Sequence, residues 1–140
     1  MVFSETDAAG IVHFSRFFVW MEDAEHALLR SFGQPVHLFD DEGERLFPRV
    51  HAEADYLRPL RFDEEAAVEV WIDRRSTRSV TYRFAIRRPE GALAAVGRTV
   101  VVFARPTPEG MAATPFPAEL ARALDDAQAA TPDSPPEVDR

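Results

Sequence analysis

The sequence predicts an α+β domain in which one long helix is set against an antiparallel sheet of about five strands. Three observations predict it. Apolar residues recur at three- and four-residue steps through Phe14–Phe32, the period changes to two after Phe47, and short turn-rich connections join the later stretches.

Met1 to Ser4 is a short apolar lead-in that reads as a strand, and Asp7 to Gly10 has turn chemistry. In the helix, Phe14, Phe17, Phe18, Met21, Ala24, Leu28 and Phe32 form the apolar stripe, while Glu22, Asp23, Glu25 and Arg30 fall on other sides. Ser15 is the expected N-cap, and Gly33 followed by Gln34-Pro35 is the expected stop. A helix over 15–32 follows, about 27 Å long at 1.5 Å per residue. An acid, Asp7, is thereby delivered through a glycine turn to a helix start whose N–H groups lack intrahelical partners.

Gln34 to Arg45 is polar and acidic and reads as a connection or a loop that covers a site. Val50, Ala52, Ala54 and Tyr56 then alternate with His51, Glu53 and Asp55, a strand with one wet face that Pro59 terminates. The His51, Glu53, Asp55 series is that wet face, and no metal site is expected because no further histidine cluster completes it. Ala67 to Asp73 and Val80 to Arg87 are the next strands. Pro89-Glu90-Gly91 turns the chain into Leu93 to Ala104, which makes an antiparallel meander. Gly97 inside the last strand suggests a bend or a bulge. Arg105 to Gly110 reads as loop, Pro117 opens a short helix over 117–129 with Leu120 and Leu124 as apolar contacts, and 131–140 reads as a disordered tail behind a single domain over 1–130.

At 140 residues the chain is long enough for one core. Its net charge of −8 argues against a nucleic-acid partner, and the absence of cysteine excludes disulfides, thiolate metal sites and a cysteine nucleophile. No apolar run approaches a membrane span and no basic leader precedes an apolar one, so the expected location is the cytoplasm.

The run Glu5-Thr6-Asp7-Ala8-Ala9-Gly10-Ile11-Val12-His13-Phe14, the following Arg16-Phe17-Phe18-Val19-Trp20-Met21-Glu22 and the later Tyr56-Leu57-Arg58-Pro59-Leu60 resemble the hotdog-fold acyl-CoA thioesterases of the 4-hydroxybenzoyl-CoA thioesterase type. The resemblance covers most of residues 1 to 118. It implies a hotdog fold, with a long central helix wrapped by a curved antiparallel sheet, a homodimer or homotetramer, a catalytic carboxylate at Asp7, and no cofactor. Only Met1 to Thr6 precede Asp7, fewer residues than members of that family carry, so the first strand is expected to be short or the start to lie late.

Thioester hydrolysis needs an attacking oxygen, or a base to make one, and a dipole for the carbonyl oxygen. Asp7 and the helix start offer both. By resemblance, the backbone N–H of Phe14 is the oxyanion donor, and Gly10 lets the chain turn close to the substrate. His13 is a candidate proton relay or substrate-lining residue. Glu22, two helical turns beyond Phe14, is a candidate site acid from the same or a partner subunit. Arg74, Arg75 and Arg78 form the basic cluster of an acidic chain and suit the phosphates of coenzyme A. The expected activity is hydrolysis of a small or aromatic acyl-CoA. The alternatives are a non-catalytic acyl-thioester-binding or scaffold protein and a dehydratase of the same fold.

Overall fold

In a computed structural model, which describes residues 10–61 and 63–130, the predicted helix runs Phe14–Ser31 (α1). Phe17, Met21, Glu25 and Leu29 are its buried residues, so the core stripe follows strict four-residue steps. This corrects the sequence reading twice. Glu25 lies on the buried face, and Phe14, expected inside, is 59% exposed at the helix start. The N-cap is His13 rather than Ser15: its backbone is extended and its Nδ1 accepts the Ser15 N–H at 3.3 Å. An unprotonated imidazole nitrogen can serve as the acceptor that a capping hydroxyl would otherwise supply. At the other end Gly33 takes the expected positive φ of +77°, and Gln34 N–H closes onto Leu29 O at 2.9 Å.

Beyond α1 the chain forms β1 (Phe39–Asp40), β2 (Gly43–Glu44), β3 (Arg49–Tyr56), β4 (Ala67–Arg75), β5 (Ser79–Arg87), β6 (Leu93–Val102), β7 (Ala104–Thr107), β8 (Gly110–Ala113) and α2 (Ala118–Ala129). The main sheet has the order β3-β6-β5-β4, with every pair antiparallel. β4, β5 and β6 make the predicted meander, and β3 docks on the far side of β6. On the face toward α1, Val80, Tyr82, Phe84 and Ile86 of β5 stand opposite Val101, Thr99, Gly97 and Ala95 of β6. The outer face is polar, with Arg98 on Glu53 at 2.7 Å and Arg83 on Asp73 at 3.3 Å. This helix-on-sheet order is that of the hotdog fold.

Gly97 is not a bulge, since it pairs in regular register with both neighbours. A Cβ there would lie 2.3 Å from Met21 Cε and 2.8 Å from Met21 Sδ. The glycine is where the helix comes down on the sheet. Register shifts lie elsewhere: in β3 between Arg49 and His51, in β4 between Ile72 and Arg74, and where Ile86 and Arg87 of β5 meet Ala95 and Leu93 of β6. Val50, expected inside, is left 61% exposed, and Arg49 takes the place facing α1.

Two segments expected as loops contain short hairpins. Asp40 Oδ1 accepts the Glu42 N–H at 2.9 Å and Gly43 sits at φ +115°, turning β1 into β2; β7 and β8 turn at Gly110. Strands of two to four residues are too short to show a period, which is why composition alone suggested loop. α2 begins one residue after the predicted start, with Leu120 and Leu124 buried as expected. The predicted first strand and the predicted tail lie outside the described residues.

Candidate active site

The start of α1 is held in place by the segment that follows β3. Val12 N–H donates to Leu60 O at 2.8 Å, Ile11 bridges to Arg61, and Leu60 is fully buried. That segment is itself pinned. Leu57 and Arg58 N–H donate to Ala94 O, Arg58 Nη1 donates to Leu93 O at 2.9 Å, and the Arg88 guanidinium bonds Pro59 O. Between the two runs is a groove of about 370 Å³ whose walls include Val12, His13, Phe14, Phe17, Tyr56 and Arg58.

The backbone donors at this helix start can be accounted for one by one. Val12 N–H goes to Leu60 O, Ser15 N–H to His13 Nδ1, and Arg16 N–H to His13 O at 3.0 Å. The Phe14 N–H has no acceptor among the described residues. An open amide at a helix N-terminus, backed by about half a positive charge from the helix, is the environment a developing oxyanion requires. It borders a groove with aromatic walls.

Gly10 has φ +77° and open space where a Cβ would stand, so the backbone turn, rather than a close approach to protein atoms, requires the glycine. His13 is exposed and caps the helix, with the Ser15 hydroxyl 2.7 Å from Nδ1. Asp7 lies outside the described residues. Glu22 does not line the groove; its half-exposed carboxylate accepts from Arg49 Nη1 at 2.8 Å.

Arg49 also bonds Glu25, which sequence reasoning missed as a core residue. Glu25 is 3% exposed and accepts the Thr99 hydroxyl at 2.6 Å. Burial pushes its carboxyl above the usual range, although the hydrogen bond from Thr99 and the charge of Arg49 oppose that shift. Tyr82 is also buried, and burial together with the Glu25 charge pushes its phenol up. The available signal was spacing, because Glu25 is four residues from both Met21 and Leu29.

The basic cluster divides. Arg75 is held by Asp125 through Nε at 2.6 Å and Nη2 at 2.8 Å, a clamp between β4 and α2, whereas Arg74 and Arg78 are exposed. Ser79 pairs with Val102 and Tyr56 with Ala95, so the hairpin tip and the groove are at opposite ends of β6, about 23 Å apart at 3.3 Å per residue. A larger hollow of about 520 Å³ lies on the flank of α1, lined by Trp20, Asp23, Glu64 and Glu65 among others. Its carboxylates are poorly suited to an anionic thioester. Among the described residues no group of three or more His, Asp or Glu could hold a metal ion, and no helix is long and apolar enough to cross a membrane.

Comparisons with known proteins agree with this fold. The chain is 38% identical over 80 residues to a 1,4-dihydroxy-2-naphthoyl-CoA hydrolase of Synechococcus sp., a match covering 52% of this chain and 61% of the relative. It spans less than two thirds of the length of this and several other curated relatives it matches. Its fold superposes on a hypothetical protein from Thermus thermophilus with a TM-score of 0.79 at 29% identity, covering 91% of this chain and 94% of the other. A gentisyl-coenzyme A thioesterase superposes with a TM-score of 0.76 at 28% identity, covering 88% and 94%. Because residues 1–124 match the family model of the thioesterase-like superfamily, over most of the chain's length, the chain belongs to that superfamily.

Proposed function

We propose that this protein is an acyl-CoA thioesterase that hydrolyses a small or aromatic acyl-CoA to the free acid and coenzyme A. The observation that carries the reading is the Phe14 amide at the start of α1, which has no acceptor among the described residues and borders a groove walled by Phe14, Phe17 and Tyr56. Two relatives bearing aromatic acyl-CoA names support the aromatic class. The thioester carbonyl oxygen accepts the Phe14 N–H, and Asp7 either attacks the carbonyl carbon or deprotonates a water that does. His13 holds the helix start as its cap, and its proton-relay role is secondary. Arg74 and Arg78 remain available for coenzyme A phosphates, since Arg75 is engaged by Asp125. The working unit is a homodimer or homotetramer, in which Glu22 reaches a groove only from a neighbouring copy.

Release of free thiol from a panel of acyl-CoA thioesters that includes benzoyl-CoA tests the activity. Asp7→Asn keeps the size of the side chain and removes its negative oxygen, so turnover is expected to fall by at least about 10²-fold with binding retained. Parent-level turnover in Asp7→Asn would make Asp7 a turn residue and favour a binding module.

A further inference from the structure

The Tyr56 hydroxyl donates to the Phe14 carbonyl at 3.1 Å, joining the last residue of β3 to the first residue of α1 across 42 positions of sequence. Its ring meets Phe17 edge-on, with centroids 5.0 Å apart and planes at 80°. The contact is unusual in kind. The Phe14 carbonyl already lies within the helical hydrogen-bond ladder, so it does not need a second donor to be satisfied, yet a tyrosine half-exposed in the groove is spent on it.

The residue so held is the one whose own N–H has no acceptor among the described residues. Amide and carbonyl of Phe14 flank one Cα, so a bond to the carbonyl anchors the helix turn from which the amide points. We infer that Tyr56 is a positioning residue for the oxyanion donor: its hydroxyl holds Phe14 so that the amide keeps its aim when the substrate carbonyl becomes an oxyanion. This rests on the thioesterase reading above. Preorganised donors are effective because they need not reorient as charge develops, and a loosely held helix end loses that advantage. A phenol keeps its donor proton at neutral pH, and burial pushes the Tyr56 value further up. The strand end carrying Tyr56 is in turn fixed by Leu57 and Arg58 N–H bonds to Ala94 O.

Tyr56→Phe tests the role, because it keeps the ring against Phe17 and removes only the tether. With benzoyl-CoA, or the best substrate of the panel, kcat is expected to fall by about 10-fold while KM stays within about 2-fold, less than the 10²–10³ seen when such a donor is deleted outright. Amide hydrogen exchange at Phe17 and Phe18, the first amides bonded within the helix, should quicken while exchange elsewhere and Tm hold. Tyr56→Leu, which also removes the groove wall, should raise KM in addition. Unchanged kcat in Tyr56→Phe, whatever exchange does, overturns the assignment, as does a parallel loss of kcat, affinity and Tm. If the parent turns over no acyl-CoA, the functional reading fails and the tether is judged on exchange alone: unchanged exchange then removes it.

Discussion

Glu25 is the residue whose chemistry differs most from its sequence neighbourhood. It sits on the core face of α1 between Met21 and Leu29, bonded to Thr99 and Arg49, with burial raising its pKa above the ordinary 4.5. The native state therefore holds the Glu25 proton to higher pH than the unfolded chain. Where the native state binds more protons, stability falls as pH rises, so the Glu25 contribution is complete below 4.5 and is lost as pH passes its native value. Asp40, Glu53 and Asp125 have lowered values from hydrogen bonds to Arg105, Arg98 and Arg75, and act oppositely, in a window below the ordinary carboxylate range. The two windows do not overlap. Urea midpoints of the parent and Glu25→Gln, compared from about pH 5 to about pH 8, should show the parent losing its advantage as pH rises. A difference that stays constant over that range would mean that Glu25 is ionised throughout. Gly97 gives a second test at this scale. Gly97→Ala puts a methyl carbon against buried Met21 and should cost about 1–3 kcal/mol in a chemical denaturation curve, as overpacking does.

At the scale of elements, what was legible in the sequence was what repeats. α1 shows steps of three and four, β3, β4 and β5 show a period of two, β6 reads as an apolar run, and the meander follows from the short connections of β4, β5 and β6. Single contacts between distant residues were not legible. His13 took the cap from Ser15, the slip at Val50 turned Arg49 toward the helix, and the Tyr56 tether spans the sheet and the helix start. The resemblance carried the family, while the placement of Arg75 was not legible, because Asp125 reaches it from α2. The hairpin of β1 and β2 shows how such contacts build an element with no period. Arg105 Nη1 and Nη2 donate to the two Asp40 oxygens at 2.9 and 2.8 Å, and Arg45, buried over Phe47 and Phe103, has the same carboxylate 4.0 Å away. One carboxylate thus stands between two guanidiniums. Asp40→Asn leaves both cations without it, so Tm should fall and exchange of the Arg45 amide, bonded to Leu38 O, should quicken. Turnover should persist, since the hairpin lies outside the groove.

For the whole molecule, the sheet leaves β3 as the outermost of the described strands on one side, with Val50 61% and Tyr56 46% exposed along it. The outer face offers ion pairs, the edge offers apolar side chains, and no other described strand pairs along it, so a second copy is expected at the edge. A two-fold axis through β3 pairs the strands antiparallel and brings the Arg49 end of one beside the Tyr56 end of the other. Glu22 and Arg49 of each chain then approach the groove of its neighbour, the only route by which Glu22 reaches a site. Light scattering at micromolar concentration should accordingly return at least twice the 15.8 kDa chain mass. Val50→Lys places a charge on the edge without touching the core or the groove, and should lower both the mass and the turnover. If Val50→Lys is monomeric and hydrolyses benzoyl-CoA as fast as the parent, each groove is complete within one chain, and Glu22 is no more than the outer partner of Arg49.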